Sequence, residues 1–259
     1  MFEKYNINKM PGHWFLSRMG KRVLRPGGKI LTTSMLNWLN ITKADEVVEF
    51  APGMGITARE IFEKGPNRYW GVDQNAEAIQ HLKELAPVES YTFIENNIIH
   101  SGLKDNIATV VVGEAILTMQ TQANKQKIIN EAFRVLKQNG RYGIHEICLG
   151  PDNISNNIKD KLSSELSSVI HVNARPLTMT EWKKMLENAG FQIEKIFSTP
   201  MHLLRLSRVI QDEGLKGVFT MLKNVLKTKG ALTRIREMRG VFQKYEHQMS
   251  AVSIIAIKK

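Results

Sequence analysis

A glycine turn follows a short apolar run near residue 50. Residues 47–58 read VVEFAPGMGITA, in which the apolar run gives way to Pro52, Gly53 and Gly55 and then to a helical pattern. This order predicts a buried strand, a tight turn and a helix start. Glycine lets a ligand lie against the backbone, and the first N–H groups of the helix can bind it. Glu49 can accept a hydrogen bond there from a cationic or hydroxyl group, although such a turn can also be purely structural.

Asp73 ends a second predicted strand, residues 69–73, about 20 residues beyond the glycine turn. A carboxylate at this distance can reach the hydroxyl pair of a ribose, with Gln74 beside it. The other interpretation is that Asp73 caps the helix that begins near Ala76. The two strand ends together predict a site for a ribose-containing ligand.

Three segments resemble the successive motifs of class I S-adenosylmethionine-dependent methyltransferases: Glu49–Gly55, Gly71–Asp73 and Arg134–Arg141. The similarity spans residues 40–200 and is closest to the small-molecule branch that includes the ubiquinone/menaquinone-biosynthesis enzymes, which are methyltransferase type 11-like. It implies an enzyme that binds S-adenosylmethionine, releases S-adenosylhomocysteine and moves a methyl group to a small molecule by in-line displacement.

The turn departs from the family pattern at one point. The usual first glycine is Ala51 here, which is still small, and Pro52 follows it and fixes φ. By the same resemblance, Asn97 takes the place of the acid that meets the adenine amino group, with the Ile98 N–H beside it, although an Asx turn explains Asn97 equally well. The predicted cofactor-binding residues are Glu49, Ala51, Pro52, Gly53, Gly55, Asp73, Gln74, Asn97, Ile98 and Glu114.

Three further residues are candidates for catalysis. Glu114 follows the fourth predicted strand and could act as a base, hold the sulfonium or cap a helix. His145 lies within the fifth strand and His171 in a later loop, and an imidazole has a useful pKa for proton removal. The alternatives are a hydrogen-bonded core histidine for His145 and a solvent-facing side chain for His171. Arg175 could bind a substrate carboxylate or lie at the surface.

The composition excludes several classes of protein. The chain has 259 residues, a net charge of +11 and one cysteine, Cys148. One cysteine cannot build a disulfide framework or a zinc or iron–sulfur cluster within one chain, and no metal site is predicted. Residues 1–9 lack an apolar signal core, and no stretch approaches the ~20 apolar residues of a spanning helix. These features predict a reducing, cytoplasmic location.

The element pattern predicts an α/β fold. Strands and helices alternate, which is typical of a Rossmann-like, mostly parallel sheet with helices on both faces; the resemblance implies seven strands with an antiparallel closing strand. One helix, residues 125–137, is expected to end at Asn139-Gly140, and strand five is expected to run from Arg141 to Leu149. The predicted units are an N-terminal helical extension at 1–45, a cofactor-binding core at 46–200, a helical lid at 201–249 and a closing strand at 250–259.

The positive charge lies in the two flanking helical segments. Residues 1–45 and 201–245 carry net charges of +6 and +7, whereas residues 46–200 carry −3. Apolar positions recur at helical spacing in both flanks, among them Val23, Leu203 and Leu204. The lid is expected to cover the carboxyl ends of the strands, to line the acceptor pocket with Leu, Phe and Met, and to face its basic side outward. The alternatives are a helical buttress packed elsewhere on the fold and a basic face that is simply solvated.

The sequence is compatible with three functions. A small-molecule methyltransferase with a hydrophobic or amphipathic acceptor is the main hypothesis, and peripheral contact with an anionic membrane would suit a lipid-like acceptor. A methyltransferase acting on RNA or protein is the second. Nucleic acid is disfavoured as a partner because the basic segments lack interleaved aromatics for base stacking. A non-catalytic, membrane-associated cofactor-binding module is the third. The sequence predicts neither the acceptor nor the oligomeric state.

Overall fold

The computed structural model describes residues 6, 7, 9–21, 25–201 and 206–259. Val23, Leu203 and Leu204, which the pattern assigns to apolar helix faces, lie outside these residues. Across the described residues, no helix is both long and apolar enough to cross a membrane.

Seven strands form one continuous sheet in the order β3-β2-β1-β4-β5-β8-β7, and the short β6 pairs with β5 outside this path. The strands are β1 (Glu46–Phe50), β2 (Arg68–Asp73), β3 (Thr92–Glu95), β4 (Ala108–Glu114), β5 (Leu136–Leu149), β6 (Leu177–Thr178), β7 (Phe191–Pro200) and β8 (Met249–Lys258). Strands β1 to β5 pair in parallel, whereas β8 runs antiparallel to both β5 and β7. The predicted Rossmann-like fold with an antiparallel closing strand is confirmed, and β6 is an addition.

The described helices are α1 (Gly12–Arg18), α2 (Gly28–Leu39), α3 (Ile56–Lys64), α4 (Ala76–Leu85), α5 (Gln122–Val135), α6 (Asn156–Ile170), α7 (Met179–Asn188), α8 (Leu206–Lys227) and α9 (Ala231–Lys244). Alternate residues of the central strands enter two separate cores, as a sheet buried on both faces requires. Val48 and Val111 pack with α5 and α7 on one face, and Val47 and Val110 pack with α2, α3 and α4 on the other.

A third core lies at the carboxyl end of β5. Ile147 and Leu149 pack there against residues of α1, α6 and α9. Arg234 of α9 ties the N-terminal segment to this core, since its guanidinium donates to the Ile7 and Met10 carbonyls and lies 4.5 Å from the Phe15 ring centroid. The two flanking segments therefore meet in space, above the strand ends that carry the predicted site.

Two local predictions were wrong. Helix α5 ends at Val135, and β5 begins at Leu136, so Asn139 and Gly140 lie inside the strand and not at a helix end. Lys258 explains the early stop, because its Nζ donates 2.7 Å hydrogen bonds to the carbonyls of Phe133 and Leu136 at the end of the helix. Such bonds satisfy carbonyls that a longer helix would otherwise pair.

Helix α6 was not predicted at all. Its sequence, NNIKDKLSSELSSVI, is rich in polar residues, and only Leu162 and Leu166 are buried. Ser155 caps its first turn by accepting from the Ile158 N–H. One buried residue per turn is too weak a pattern to identify a helix that covers only a small apolar surface.

Candidate active site

The glycine turn after β1 has one glycine that faces open space and one that is packed. Ala51, Gly53 and Gly55 have φ values of 51°, 54° and 71°, in the left-handed region. A Cβ added to Gly53 would meet only the Ala51 carbonyl oxygen, at 4.0 Å. A Cβ on Gly55 would lie 2.8 Å from Leu82 of α4. Gly53 therefore leaves room for a ligand against the backbone, whereas Gly55 is needed for packing.

Asp73 connects the end of β2 to this turn. Its Oδ2 accepts a 3.0 Å hydrogen bond from the Gly53 N–H, and its Oδ1 accepts a 2.9 Å bond from the Asn75 N–H. Burial raises the pKa of Asp73, although these N–H groups oppose the shift. The helix cap is Asn75, whose side chain accepts from the Glu77 and Ala78 N–H groups. The capping role considered for Asp73 thus belongs to its neighbour.

Glu49 lies at the end of β1 beside the turn. The Tyr69 hydroxyl donates a 2.6 Å hydrogen bond to Glu49 Oε2. Burial raises the pKa of Glu49 to about 8, against the opposing effect of the Tyr69 hydrogen bond. Because Glu49 also lines the cavity described below, its other oxygen is available to a donor on a bound ligand.

Glu114, at the end of β4, is the centre of a buried polar cluster. Its carboxylate accepts from the hydroxyls of Thr32, at 2.6 Å, and Thr57, and it lies 3.1 Å from Arg25 Nε and 2.8 Å from His145 Nδ1. Burial alone would raise its pKa, but the Arg25 charge and the His145 hydrogen bond outweigh that effect and lower the pKa to about 2. A carboxylate held in this way is a poor proton acceptor at neutral pH.

His145 lies behind the cavity wall. Its side chain is fully buried, with Nδ1 facing Glu114 and Nε2 facing the Pro26 carbonyl. Both ring nitrogens therefore have an oxygen partner, and His145 is not among the residues that line the cavity. The surroundings of His145 are those of a hydrogen-bonded core histidine. From this position its side chain does not reach the cavity in which a methyl acceptor would bind.

Glu146, which the sequence analysis did not select, points to the other side of β5, as alternation along a strand requires. Its two oxygens accept from the N–H groups of Ile116, Leu117 and Thr118 at 3.0, 2.7 and 2.9 Å, and from the Thr118 hydroxyl at 2.7 Å. It thereby holds the loop after β4, of which Ile116 and Thr118 line the cavity. The signal in the sequence that could have identified Glu146 is an acidic residue next to His145 within an otherwise apolar strand.

These elements surround one cavity of about 690 Å³. One wall comes from the strand ends and carries the polar groups: Glu49, Ala51, Pro52, Gly53, Asp73, Gln74 and Glu114. The other wall comes from the third core and is mostly apolar: Trp14, Leu16, Ile147, Leu166, Ile170, Met201, Met238 and Phe242. Seven predicted cofactor residues are thus brought together, next to side chains from both flanking segments.

His13 is the titratable group on the apolar wall. Its ring lies 4.9 Å from the Trp14 ring between centroids, and burial lowers the pKa of His13 to about 4. The imidazole of His13 is therefore neutral at physiological pH, and one of its ring nitrogens carries a lone pair. From the sequence, His13, Trp14 and the Gly27-Gly28 turn could form one wall of a pocket, with ordinary packing as the alternative, and His13 had no predicted catalytic role.

Several predicted residues lie away from the cavity lining. The exposed Asn97 forms an Asx turn, in which its Oδ1 accepts a 2.9 Å bond from the Ile99 N–H, and Ile98 packs on the core. His171 is exposed at the end of α6. Arg175 is exposed, and its carbonyl accepts a 2.7 Å bond from Lys125 Nζ. The predicted roles of these residues stay predictions.

Comparisons with known proteins agree with this fold. Residues 41–190 match the family model described as a methyltransferase domain. An uncharacterized protein of Haemophilus influenzae is 30% identical over 253 residues, which cover 95% of this chain and 98% of that protein.

Two solved structures share the fold. The crystal structure of the MccD protein has a TM-score of 0.71 at 18% identity and covers 91% of this chain and 99% of that one. Phosphoethanolamine N-methyltransferase 2 of Haemonchus contortus, in complex with S-adenosyl-L-methionine, has a TM-score of 0.70 at 16% identity, covering 95% of this chain and 57% of that one.

The chain belongs to the methyltransferase-domain family, and it is an S-adenosylmethionine-dependent methyltransferase. The polar wall of the cavity fits this cofactor. The Gly53 backbone leaves room for a close approach, and the Asp73 and Glu49 carboxylates can accept from ribose hydroxyls and an amino group respectively.

Proposed function

We propose that the protein methylates a small, largely apolar molecule that binds against the helical wall of the cavity. The apolar composition of that wall carries the proposal, because Trp14, Leu166, Ile170, Met238 and Phe242 offer contact area without charge. The resemblance to the ubiquinone/menaquinone branch supports the same class of acceptor. A carboxylate on the acceptor finds no support from Arg175, which is exposed and outside the lining.

The size of the cavity favours a small acceptor. Its volume of about 690 Å³ lies within the range of ~300–1,000 Å³ that is usual for small-molecule sites. In this proposal the cofactor and the methyl acceptor share that volume. Three helical elements, α1, α6 and α9, contribute to the wall, so a folded protein or an RNA duplex would have to displace them. The segment 201–249 acts in this proposal as the lid of the acceptor site.

The residues of the polar wall would hold the cofactor. Asp73 would accept from the ribose hydroxyls, Gly53 would leave room for the methionine portion, and Glu49 would accept from the amino group. When bound, S-adenosylmethionine supplies an electrophilic methyl group on a sulfonium. The apolar wall aligns the acceptor atom with that group and excludes water, and alignment is the main contribution that the protein can make to such a displacement.

His13 is the proposed general base for a substrate whose methyl-accepting atom carries a proton. It is a neutral imidazole on the apolar wall, and in the described part of the chain its ring nitrogens have no hydrogen-bond partner. Glu114 and His145 are engaged with one another and with Arg25, Thr32 and Pro26, so their proposed role is to position the N-terminal segment.

Incubation of the protein with methyl-labelled S-adenosylmethionine and a cell extract tests the proposal. The extract is separated into metabolite, lipid, RNA and protein fractions after the reaction. Label in the metabolite or lipid fraction supports the proposal, and a Met238→Glu variant, which places a charge on the apolar wall, should lose most of that label while binding the cofactor normally. Enzyme-dependent label confined to RNA or protein would overturn it.

A further inference from the structure

The outer face of α8 carries an exposed apolar stripe. Leu215, Phe219, Leu222 and Leu226 recur at spacings of four, three and four residues, which places them on one face of a helix with about 3.6 residues per turn. Their exposed fractions are 76, 72, 56 and 81%, respectively. Scattered apolar residues are ordinary at a surface, but four on one face form a contiguous patch of the kind that marks an interaction site.

The inner face of the same helix is already covered. Met221 and Val225 are buried, and Asn224 Nδ2 donates a 3.2 Å hydrogen bond to the Met19 carbonyl, just after α1. The helix is therefore anchored to the body of the protein by one face. Its stripe cannot turn inward without breaking these contacts.

Basic side chains flank the stripe. Lys216, Lys223 and Lys227 each follow a stripe residue directly in the chain, which places them about 100° further around the helix, and all three are exposed. Lys229 is exposed just beyond the end of the helix. Residues 214–236 contain no Asp or Glu. This surface is apolar along its centre and carries three lysines along one side.

We propose that the outer face of α8 is a docking surface for an anionic lipid bilayer. A bilayer offers acyl chains to a shallow apolar stripe and negative headgroups to the lysines beside it, and this combination is how interfacial amphipathic helices bind membranes. The charge of the surface decides against a second copy of the chain as the occupant, because a symmetric contact would bring the same lysines together without any acid to pair them.

Docking through α8 would bring the bilayer close to the cavity. Its inner face packs on Met19, directly after α1, and α1 contributes His13, Trp14 and Leu16 to the apolar wall of the cavity. A bilayer held by α8 would thus lie one helix away from the acceptor side of the site.

Vesicle sedimentation tests the surface with the full chain. We expect at least about tenfold more binding to vesicles of phosphatidylcholine and phosphatidylglycerol in a three-to-one ratio than to pure phosphatidylcholine, and binding that falls as salt is added. Two double variants separate the contributions. Phe219→Ser with Leu226→Ser removes apolar area, and Lys223→Glu with Lys227→Glu reverses the charge.

The matched control is Lys83→Glu with Lys104→Glu, which makes the same charge change at exposed positions far from α8 in sequence. Both α8 variants should lose most of their binding, whereas the control should keep it. Equal loss in the control would show attraction by net charge alone and overturn the proposal, as would an absence of binding to the anionic vesicles. A dimer in solution that the Phe219→Ser and Leu226→Ser variant dissociates would assign the stripe to a second copy instead.

Discussion

Arg25 Nε lies 3.1 Å from Oε2 of Glu114, and both side chains are almost completely buried. This ion pair joins the turn before α2 to the end of β4, and it places the N-terminal segment over the cavity that both residues line. The Glu114 carboxylate also engages Thr32, Thr57 and His145, so the ion pair is part of a larger buried network.

Glu114→Gln should destabilise the protein strongly. The change removes the negative charge that compensates Arg25 in a buried site, and breaking such a pair costs about 3–5 kcal/mol. Urea unfolding at neutral pH measures the loss. Glu165→Gln is the matched control, because it breaks an exposed pair with Lys244 and should cost little. Similar, small effects of the two substitutions would contradict the assigned role of Glu114.

Glu49 should make the stability of the cofactor-free protein depend on pH. Folding raises its pKa from 4.5 to about 8, so between these values the folded state holds a proton that the unfolded chain has released. The stability from this group is fully present below the lower value and is lost as the pH rises through the higher one, with a slope of at most about 1.4 kcal/mol per pH unit.

Glu49→Gln removes this titration, since an amide has no proton to lose in that range. The variant should therefore gain stability relative to the wild type as the pH rises from about 5 to 8, as measured by urea unfolding. Glu84→Gln, at an exposed position on α4, should follow the wild type. A constant difference between Glu49→Gln and the wild type across this range would show that Glu49 titrates normally.

Gly53→Ala should weaken cofactor binding, and Gly65→Ala should not. Both glycines have a left-handed φ, 54° and 63°, so each substitution should cost a similar ~1–2 kcal/mol of stability. Only Gly53 lines the cavity, where an added methyl group would occupy ligand space. Calorimetric titration with S-adenosylmethionine gives the comparison. Equal affinities for the two variants would mean that the turn is structural only.

His13→Phe should lower methyl transfer by roughly 10²-fold or more, the usual effect of a general base, while cofactor affinity stays unchanged. Phenylalanine preserves the ring beside Trp14 but cannot accept a proton. His171→Phe is the control, because His171 is exposed and outside the cavity lining. Transfer that is lost in His171→Phe and kept in His13→Phe would reverse the two roles.

The sequence predicted that most residues of the polar wall lie together, because those residues occupy neighbouring strand ends. Glu49, Gly53 and Asp73 lie at strand ends next to a turn, and the order of elements alone brings strand ends together. Gly55 shows the limit of this reasoning: it was assigned to the ligand, but its missing Cβ makes room for Leu82, a contact between α3 and α4 that no local pattern reveals.

Most individual residues of the apolar wall could not be predicted in the same way. His13 on α1, Leu166 on α6 and Met238 on α9 are far apart in the chain, and only the packing of the third core brings them to one cavity. The contact between His145 and the Pro26 carbonyl also joins residues far apart in the chain. The sequence therefore did not reveal that this candidate base is buried between the N-terminal segment and β5. Helix α6 contributes to this wall but has too few buried residues to be recognised from periodicity.

Calorimetric titration of S-adenosylmethionine into the wild type and Asp73→Ala tests the central claim most directly. The wild type should bind one equivalent, and Asp73→Ala should bind at least tenfold more weakly, since a hydrogen bond to a charged group contributes about 1.5–3 kcal/mol and the substitution also releases the Gly53 N–H. Asp160→Ala, an exposed substitution on α6, should match the wild type. Unchanged affinity in a folded Asp73→Ala variant would contradict the assignment of this cavity to the cofactor.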